Sequence, residues 1–478
     1  MTELQGNWNS ISITLLKDPH DVRLWQSLVH SAESQNGLIN KTSNHVEVQN
    51  LRTSYESFLE RFPFYLKYWM AYALWERRLN NNDRAEIVFS RALQFGQHDV
   101  TLWVAYLKFK IETLTNNIGD VLQLFEAARL KIGYHYHSFE FYQLYQKFLN
   151  TYADNTNSFR KKSILLLRVM LEIPLYNYSA SYDQIISFLS SPSTTIEDLS
   201  SFMHETALKA LKKSSQNNKR LIQADLEKII ADAYIVNQAK SYQLFNYEIL
   251  VTSNSSSCGA ASISVDQLET WDNYLNAIES TYPFDYVAQL FERSLLSTGN
   301  NSKIVIKYFN FCFASRKFTK ARNVLRKTMS TLERNASIQL LLCLTDLEIA
   351  TGSVLLAKDM ISRYISVNNN VPDSIFEKLL QIEALISSND EEYLCNLVHE
   401  IMVVTNSPAF FEKISKFPIS RTNLKNFFLQ YVCKTPEERH GKLAASMDLK
   451  SRGFFWKILK NITSETDLEG ISVPQEYR

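Results

Sequence analysis

Trp69-Met-Ala-Tyr72-Ala-Leu-Trp75, followed by Asp83-Arg-Ala-Glu-Ile-Val-Phe-Ser-Arg-Ala-Leu93, is the stretch that decides the fold. Trp69, Tyr72 and Trp75 stand at i, i+3 and i+6, which a 3.6-residue helix gathers into one apolar stripe. The second segment is amphipathic at helical spacing. Its small residues Ala85 and Ala92 let two helices approach closely. Asn80-Asn-Asn-Asp83 joins the two with residues suited to a turn. The stretch therefore reads as helix, turn, helix.

The same register recurs outward in both directions. Trp103/Tyr106/Phe109, Tyr142/Tyr145/Phe148 and Tyr182/Ile185/Phe188 follow, then Trp271/Tyr274/Ala277 and Val305/Tyr308/Phe311. The starts at 69, 103, 142 and 182 are 34, 39 and 40 residues apart. Upstream, His20-Asp-Val-Arg-Leu-Trp25 matches His98-Asp-Val-Thr-Leu-Trp103 at a separation of 78 residues, two periods of 39. In both, an Asp precedes the periodic residues, where its side chain caps a helix N-terminus. Second amphipathic segments follow at Val121–Ala128, Val287–Leu295 and Thr319–Leu325. One such unit cannot bury its apolar face alone, so units must stack. The expected fold is an all-α helical-repeat solenoid in two arrays, with the stripe residues as its core and not as a cofactor box.

Composition agrees. Among 478 residues there are only 11 Gly and 10 Pro, too few for a chain of β-hairpins. Hydrophobic residues at 45% and aromatics at 12% exclude global disorder. A net charge of +1 gives no overall field toward nucleic acid or a membrane surface. The five cysteines lie 31 to 54 residues apart without a C-x-x-C, which excludes common zinc spacings and a disulfide framework. The first twenty residues lack the basic region and apolar run of a secretory leader, and no apolar stretch is long enough to span a membrane. There is no G-x-x-x-x-G-K-[ST], no H-E-x-x-H and no G-x-S-x-G. His135 and His137, read as a helical i, i+2 pair, would point to different faces and make a poor metal site. No catalytic, cofactor-binding or metal-binding residue is expected, and no enzyme.

Residues 1–190 are expected to form a first array of about five repeats, interrupted by an Asn- and Ser-rich insertion at Ser34–His45. Residues 191–264 lack the stripe and read as connecting helices ending in an exposed connection, Thr252–Ser262. Residues 265–478 form a second array with a polar, frayed tail after Ile462.

A helix opening on Trp–aromatic–aromatic, then one reading like Phe-Glu-Arg-Ala-Leu, resembles the half-a-TPR (HAT) repeat of RNA-processing proteins. Leu171-Glu-Ile-Pro174-Leu175 with Tyr178 and Tyr182 is similar to the fourth-to-fifth repeat junction of the pre-mRNA-processing factor thirty-nine and forty-two family. Ile132–Tyr142 resembles that family's third-to-fourth junction, and Leu268–Leu275 the start of its C-terminal array. The resemblance runs from Trp25 to Leu325, with Val305 in place of the usual Trp, and fades beyond. It implies a nuclear, non-enzymatic scaffold of the U-one small nuclear ribonucleoprotein. It also implies contacts with other proteins of that particle, and pairing through the C-terminal array with itself or a paralogue. The alternatives are a HAT scaffold in mRNA 3′-end cleavage or pre-ribosomal RNA processing, and a direct RNA-binding regulator.

One basic cluster bears on RNA. Lys209, Lys212, Lys213, Lys219 and Arg220 occur with no acid between Glu205 and Asp225. It reads first as a solvated helix end, and second as a contact for snRNA or pre-mRNA phosphates or for an acidic partner. Aromatics are not interleaved, so base-specific reading is not expected. Arg160-Lys161-Lys162 is a lesser patch of the same kind.

Overall fold

The computed structural model describes residues 8–34, 39, 43–113, 117–152, 157–192, 194–202, 209, 218–254, 265–329, 334–368, 370–387, 393–394, 397–398 and 401. Among these are nineteen α-helices and no strand. The all-α helical-repeat class expected from the periodicity holds. Two compact units divide after Asn300.

In the first unit, α1 (Trp8–Lys17) precedes a run of helix pairs. These are α2 (Val22–Glu33) with α3 (His45–Arg61), α4 (Leu66–Arg78) with α5 (Asn82–Phe95), and α6 (Val100–Glu112) with α7 (Ile118–Ile132). Then come α8 (Phe139–Thr151) with α9 (Asn157–Glu172), α10 (Tyr178–Ser190), the short α11 (Ile196–Phe202), and α12 (Lys219–Asn254). The unit closes with α13 (Val265–Glu279) and α14 (Phe284–Ser297). α12 has 36 residues, about 54 Å at 1.5 Å per residue. The second unit holds α15 (Ser302–Ala314), α16 (Phe318–Met329), α17 (Arg334–Ala350), α18 (Val354–Val367) and α19 (Asp373–Ile386).

Local chemistry sets the ends of these helices. Asp21 and Asp99 cap α2 and α6, accepting from the Arg23 and Leu102 amides. Asn44 and Glu47 close a capping box at the start of α3, which ends the Ser34–His45 insertion. In three pairs the turn is a left-handed residue after the first helix: Asn80 (φ 66°), Arg316 (φ 56°) and Gly352 (φ 84°). The next amide reaches back to the helix each time, Asn81 N to Glu76 O, Lys317 N to Cys312 O and Ser353 N to Glu348 O. This is the Schellman closure.

The Thr252–Ser262 connection begins later than expected. Thr252–Asn254 are the last residues of α12, because Ile249-Leu250-Val251 extends the apolar run and Thr252 Oγ1 donates to the Glu248 carbonyl at 2.8 Å. Residues 255–262 and the tail after Ile462 lie outside the described residues. His135 and His137 are not helical. They sit in the turn between α7 and α8, because Gly133 and Tyr134 have already ended the helix. No helix among the described residues is long and apolar enough to cross a membrane.

Candidate functional site

The repeat stripe is also a hydrogen-bonding device. At its first position the indole nitrogen donates to the carbonyl six residues upstream: Trp25 to Pro19 at 3.0 Å, Trp69 to Pro63 at 2.8 Å and Trp103 to Gln97 at 2.9 Å. A buried indole N–H needs an acceptor, and this one pins the incoming loop to its helix. Where Tyr replaces Trp the hydroxyl performs the same task, from Tyr142 to the Gly133 carbonyl at 2.9 Å.

The second stripe position reaches the preceding repeat. Tyr72, Tyr145 and Tyr274 stack on Tyr55, Phe125 and Tyr247, with ring centroids 5.1, 4.5 and 5.0 Å apart. In each case the next residue after the stacked ring is Glu, and it accepts the tyrosine hydroxyl: Glu56 at 2.9 Å, Glu126 at 2.7 Å and Glu248 at 2.9 Å. A cation from a further helix then holds the carboxylate. Arg84 meets Glu56 at 2.9 Å, Lys162 meets Glu126 at 2.9 Å, and Arg293 takes both oxygens of Glu248 at 2.6 and 2.7 Å. Burial raises the affinity of Glu126 for a proton, but its bonds to Lys162, Tyr145 and Arg129 outweigh that and hold its pKa at about 2. Burial likewise opposes ionisation of Glu248, and Arg293, Tyr274 and His137 more than offset it, leaving it below the usual carboxylate range.

A third set of contacts ties the second helix of one repeat to the first of the next. Arg52 holds Glu76 through two bonds of 2.7 and 2.8 Å, and Arg322 holds Glu348 through two of 2.7 and 2.9 Å. Lys358 meets Glu383 at 2.7 Å. Glu86 and Lys110 occupy the same register with the signs exchanged. Glu76, Glu348 and Glu383 are buried.

One of the carboxylates above, Glu248, belongs to a cluster around the turn His135-Tyr136-His137. The Tyr134 amide donates to Gln289 Oε1 and the Gln289 amide group donates to the Leu130 carbonyl, both at 2.9 Å, so α14 is stapled to the end of α7. Tyr136 Oη donates to the Ser241 carbonyl of α12 at 3.3 Å, and His137 Nε2 lies 3.8 Å from Glu248. His98 spans the Lys131 carbonyl, at 3.0 Å, and Glu292, at 3.7 Å. Burial, and then the neighbouring Arg293, His137 and His98, push His135 well below the usual imidazole range. The neutral ring accepts the His137 amide at Nδ1, 3.0 Å away. The enclosed space beside it, about 10 Å³, is the size of one water. Among the described residues no cluster of three metal-ligating side chains occurs.

Beside this knot, the first helices of successive pairs line two recesses. One, of about 350 Å³, has Ala73, Leu74, Val104 and Ala105 in its wall, with the ion pairs Arg77–Glu112 and Lys108–Glu140 at its rim. The other, of about 400 Å³, is walled by Asp99, His137 and Tyr176 and shares Thr101 and Glu140 with the first. Apolar walls with charged rims characterise the first recess, and polar and aromatic side chains the second.

Of the sequence-derived core residues, Trp69, Tyr72, Trp75, Trp103, Tyr106, Phe109, Tyr142, Tyr145, Phe148, Pro174, Trp271, Tyr274 and Tyr308 are buried. Trp25 and Tyr182 are half-buried, Tyr182 lying against Tyr234 of α12 with ring centroids 4.3 Å apart. Ala277 is exposed; on α13 Ile278 takes the inward place, one residue on. Arg160-Lys161-Lys162 is not an open basic patch, because Arg160 pairs with Asp198 at 2.8 Å and Lys162 with Glu126. In the main basic cluster Lys209, Lys219 and Arg220 are described, and Lys219 Nζ donates to the Pro192 carbonyl at 3.4 Å. Lys212 and Lys213 lie outside the described residues. The paired carboxylates and the His135–His137 knot were missed. An aromatic-Glu dipeptide before Tyr72, Tyr145 and Tyr274 was the available signal.

The repeat register matches a known one. Residues 9–186 fit the family model described as the PRP39 N-terminal HAT repeat, and residues 259–384 the PRP39 C-terminal HAT repeat, in that order along the chain. The chain belongs to the PRP39 family of HAT-repeat proteins. Within it, the U1 small nuclear ribonucleoprotein component PRP42 of Saccharomyces cerevisiae is 28% identical over 70% of this chain and 62% of that protein. Pre-mRNA-processing factor 39 of Schizosaccharomyces pombe is 26% identical over 39% of this chain and 30% of its own length. The mRNA 3′-end-processing protein rna14 of Aspergillus oryzae is 42% identical, but over 15% of this chain and 7% of its own. The chain thus spans less than two thirds of the length of these relatives. In PRP39-family terms, the His135–His137 knot falls inside the N-terminal HAT match, and Glu248, α12's contribution to it, falls between the two matches.

Proposed function

We propose that this chain is a non-enzymatic, nuclear scaffold subunit of the U1 small nuclear ribonucleoprotein that acts in 5′ splice-site recognition and commitment-complex assembly. The observation that carries the reading is the ordered pair of PRP39 HAT matches together with the long similarity to a U1 component. The geometry supports it, since the buried polar groups of the seams are spent on holding repeats together. Its partners are other U1 proteins and, through the C-terminal array of residues 265–478, a paralogous HAT chain or a second copy. Leu355, Val367 and Leu385 of that array, 73%, 80% and 58% exposed, motivate the pairing. RNA contact, if made through Lys209–Arg220, is weak and salt-dependent.

Affinity purification of the tagged full chain from nuclear extract tests this. U1 snRNA and U1 proteins should co-purify. Recovery of the 3′-end cleavage machinery in their place would favour the reading suggested by the rna14 similarity.

A further inference from the structure

α14 lies in the C-terminal HAT match and α7 in the N-terminal one, and side chains around a single turn tie the first to the second. Gln289 of α14 bonds the Tyr134 amide and the Leu130 carbonyl, and the Tyr134 and Tyr286 rings lie 5.9 Å apart. α12 is held independently of that turn. Leu226 and Ile230 are buried, and Asn237 and Ser241 donate to the Leu171 and Leu175 carbonyls. Three imidazoles stand around the turn. His98 lies 3.7 Å from Glu292 and His137 3.8 Å from Glu248, so a proton on either ring meets a carboxylate. His135 is placed the other way. Its Nδ1 accepts the His137 amide, so the neutral ring carries its proton on Nε2, and a second proton on Nδ1 would set N–H against N–H. The charges that bear on it are those of Arg293, His137 and His98. Glu248 is already taken at both oxygens by Arg293 and at Oε1 by the Tyr274 hydroxyl. Lys131 and the phenols of Tyr134, Tyr136 and Tyr286, which line the enclosed side, offer His135 no carboxylate. In the outer recess Asp99 caps α6 and Glu140 pairs with Lys108.

We propose that His135 is the proton-operated catch of a latch between α7 and α14: a second proton on its ring opens the turn and releases α14, while the helix pairs before it stay folded. The path for the proton is present. On its enclosed side His135 borders the space of one water, beside Arg293, and on its outer side it borders the recess of about 400 Å³. With the latch closed the ring is neutral, because burial and the neighbouring cations hold it well below the usual imidazole range. Once open, the ring is solvated and ordinary, with a pKa near 6.5. The closed form therefore keeps its full advantage above about pH 6.5 and loses it as pH falls toward the folded value. One proton taken up on opening raises the opening constant by up to about tenfold per pH unit in that window. For His137 burial outweighs the pull of Glu248, so a proton there works in the same direction against weaker opposition. Glu248 itself is held below the usual carboxylate range and keeps its charge through the window. The latch stands whether or not U1 is the particle served.

Hydrogen exchange of the full chain, read by mass spectrometry at about pH 7.5 and 5.5 and corrected for the intrinsic rate, tests this. The segment 130–138, whose Tyr134 and His137 amides are bonded in the closed turn, should open about tenfold more at the lower pH, and α14 should lose protection with it. α4 and α5 should keep theirs. His135→Asn retains an acceptor for the His137 amide and takes no proton, so its opening should be level across the range. His137→Asn should keep most of the acid response. Gln289→Ala cuts both bonds to α7, and should raise opening at the higher pH while keeping the response to acid. The inference is overturned if the parent's segment 130–138 opens equally at both pH values, or if His135→Asn responds to acid as the parent does. It is also overturned if α4 and α5 lose protection in step with the turn, since acid would then be unfolding the array as a whole. The parent and Gln289→Ala decide the matter even where His135→Asn does not fold.

Discussion

The seams of α4–α9 and those of α15–α19 solve the same stacking problem with different chemistry. The former are aromatic and directional: indoles bonded to loop carbonyls, tyrosines stacked on rings and bonded to carboxylates. The latter keep Tyr308 and Phe311 in α15 and turn aliphatic beyond it. Val305 stands where Trp69 and Trp103 stood, and Leu341, Ala357, Ile361, Ile375 and Ile382 form a core cluster. What both keep is the buried cation–carboxylate link from one pair to the next, Arg52–Glu76 in one and Arg322–Glu348 in the other. Aliphatic packing supplies burial without orientation. The ion pair fixes register in both regions, whatever fills the stripe.

Breaking the shared element should have the largest effect. Arg322→Met strips the buried Glu348 of its two-bond partner and should cost about 3–5 kcal/mol. Arg52→Met leaves Glu76 with Arg84 at 3.5 Å and Asn81 at 3.3 Å and should cost less, about 2–3 kcal/mol. Arg52→Met/Glu76→Leu should recover much of its loss. Urea unfolding of the full chain reads this, and a cost below about 1 kcal/mol in either single variant would remove the ion pair from the common design.

The indole-to-carbonyl bonds belong to the Trp-led repeats. Trp69→Phe keeps most of the ring but loses the bond to the Pro63 carbonyl, at a cost of about 1–3 kcal/mol including the orphaned acceptor. In the aliphatic region Ile361→Val removes only a methylene and should cost about 0.5–1.5 kcal/mol. Thermal shifts in the reverse order would contradict the contrast.

Acid should probe the carboxylates in turn. Glu126, with a folded pKa of about 2 against an ordinary unfolded value near 4.3, stabilises the fold fully at pH values above the latter. That contribution fades as pH falls from there through about 2. Glu126→Gln should therefore lower stability at pH 7 and flatten its pH dependence between about 5 and 2. Parallel curves for parent and variant would show that Glu126 is not linked to folding.

The smallest effect lies in the turns. Arg316 pays the steric penalty of the left-handed region that Gly352 avoids, and Arg316→Gly should stabilise by up to about 1 kcal/mol. Gly352→Ala should destabilise by about as much, although the space around it is open, because φ is 84°. Differential scanning of the two variants should show Tm moving in opposite directions.

The stripe was legible because Trp69, Tyr72 and Trp75 repeat at a spacing that only a helix turns into a face. The caps at Asp21 and Asp99 were legible because capping is local. The carboxylate links were not. Glu76 reads as an ordinary solvated acid until Arg52, 24 residues away, is brought onto it. Arg160 and Lys162 read as an open basic patch until Asp198 and Glu126 close on them.

The sequence by itself determined the class of fold, the period of the repeat and the family, since these rest on i, i+3, i+6 spacing and on local turn chemistry. Tertiary structure alone decided which charges are used up inside the seams and which stay outside. It alone showed that His135 and His137 form a turn clasped by α12 and α14, and that Leu221, Ile235, Tyr242 and Ile249 of α12 stay exposed. The physical reason is that burial and pairing are properties of two segments at once. Periodicity along one segment says which side is apolar, but not what the other side will meet.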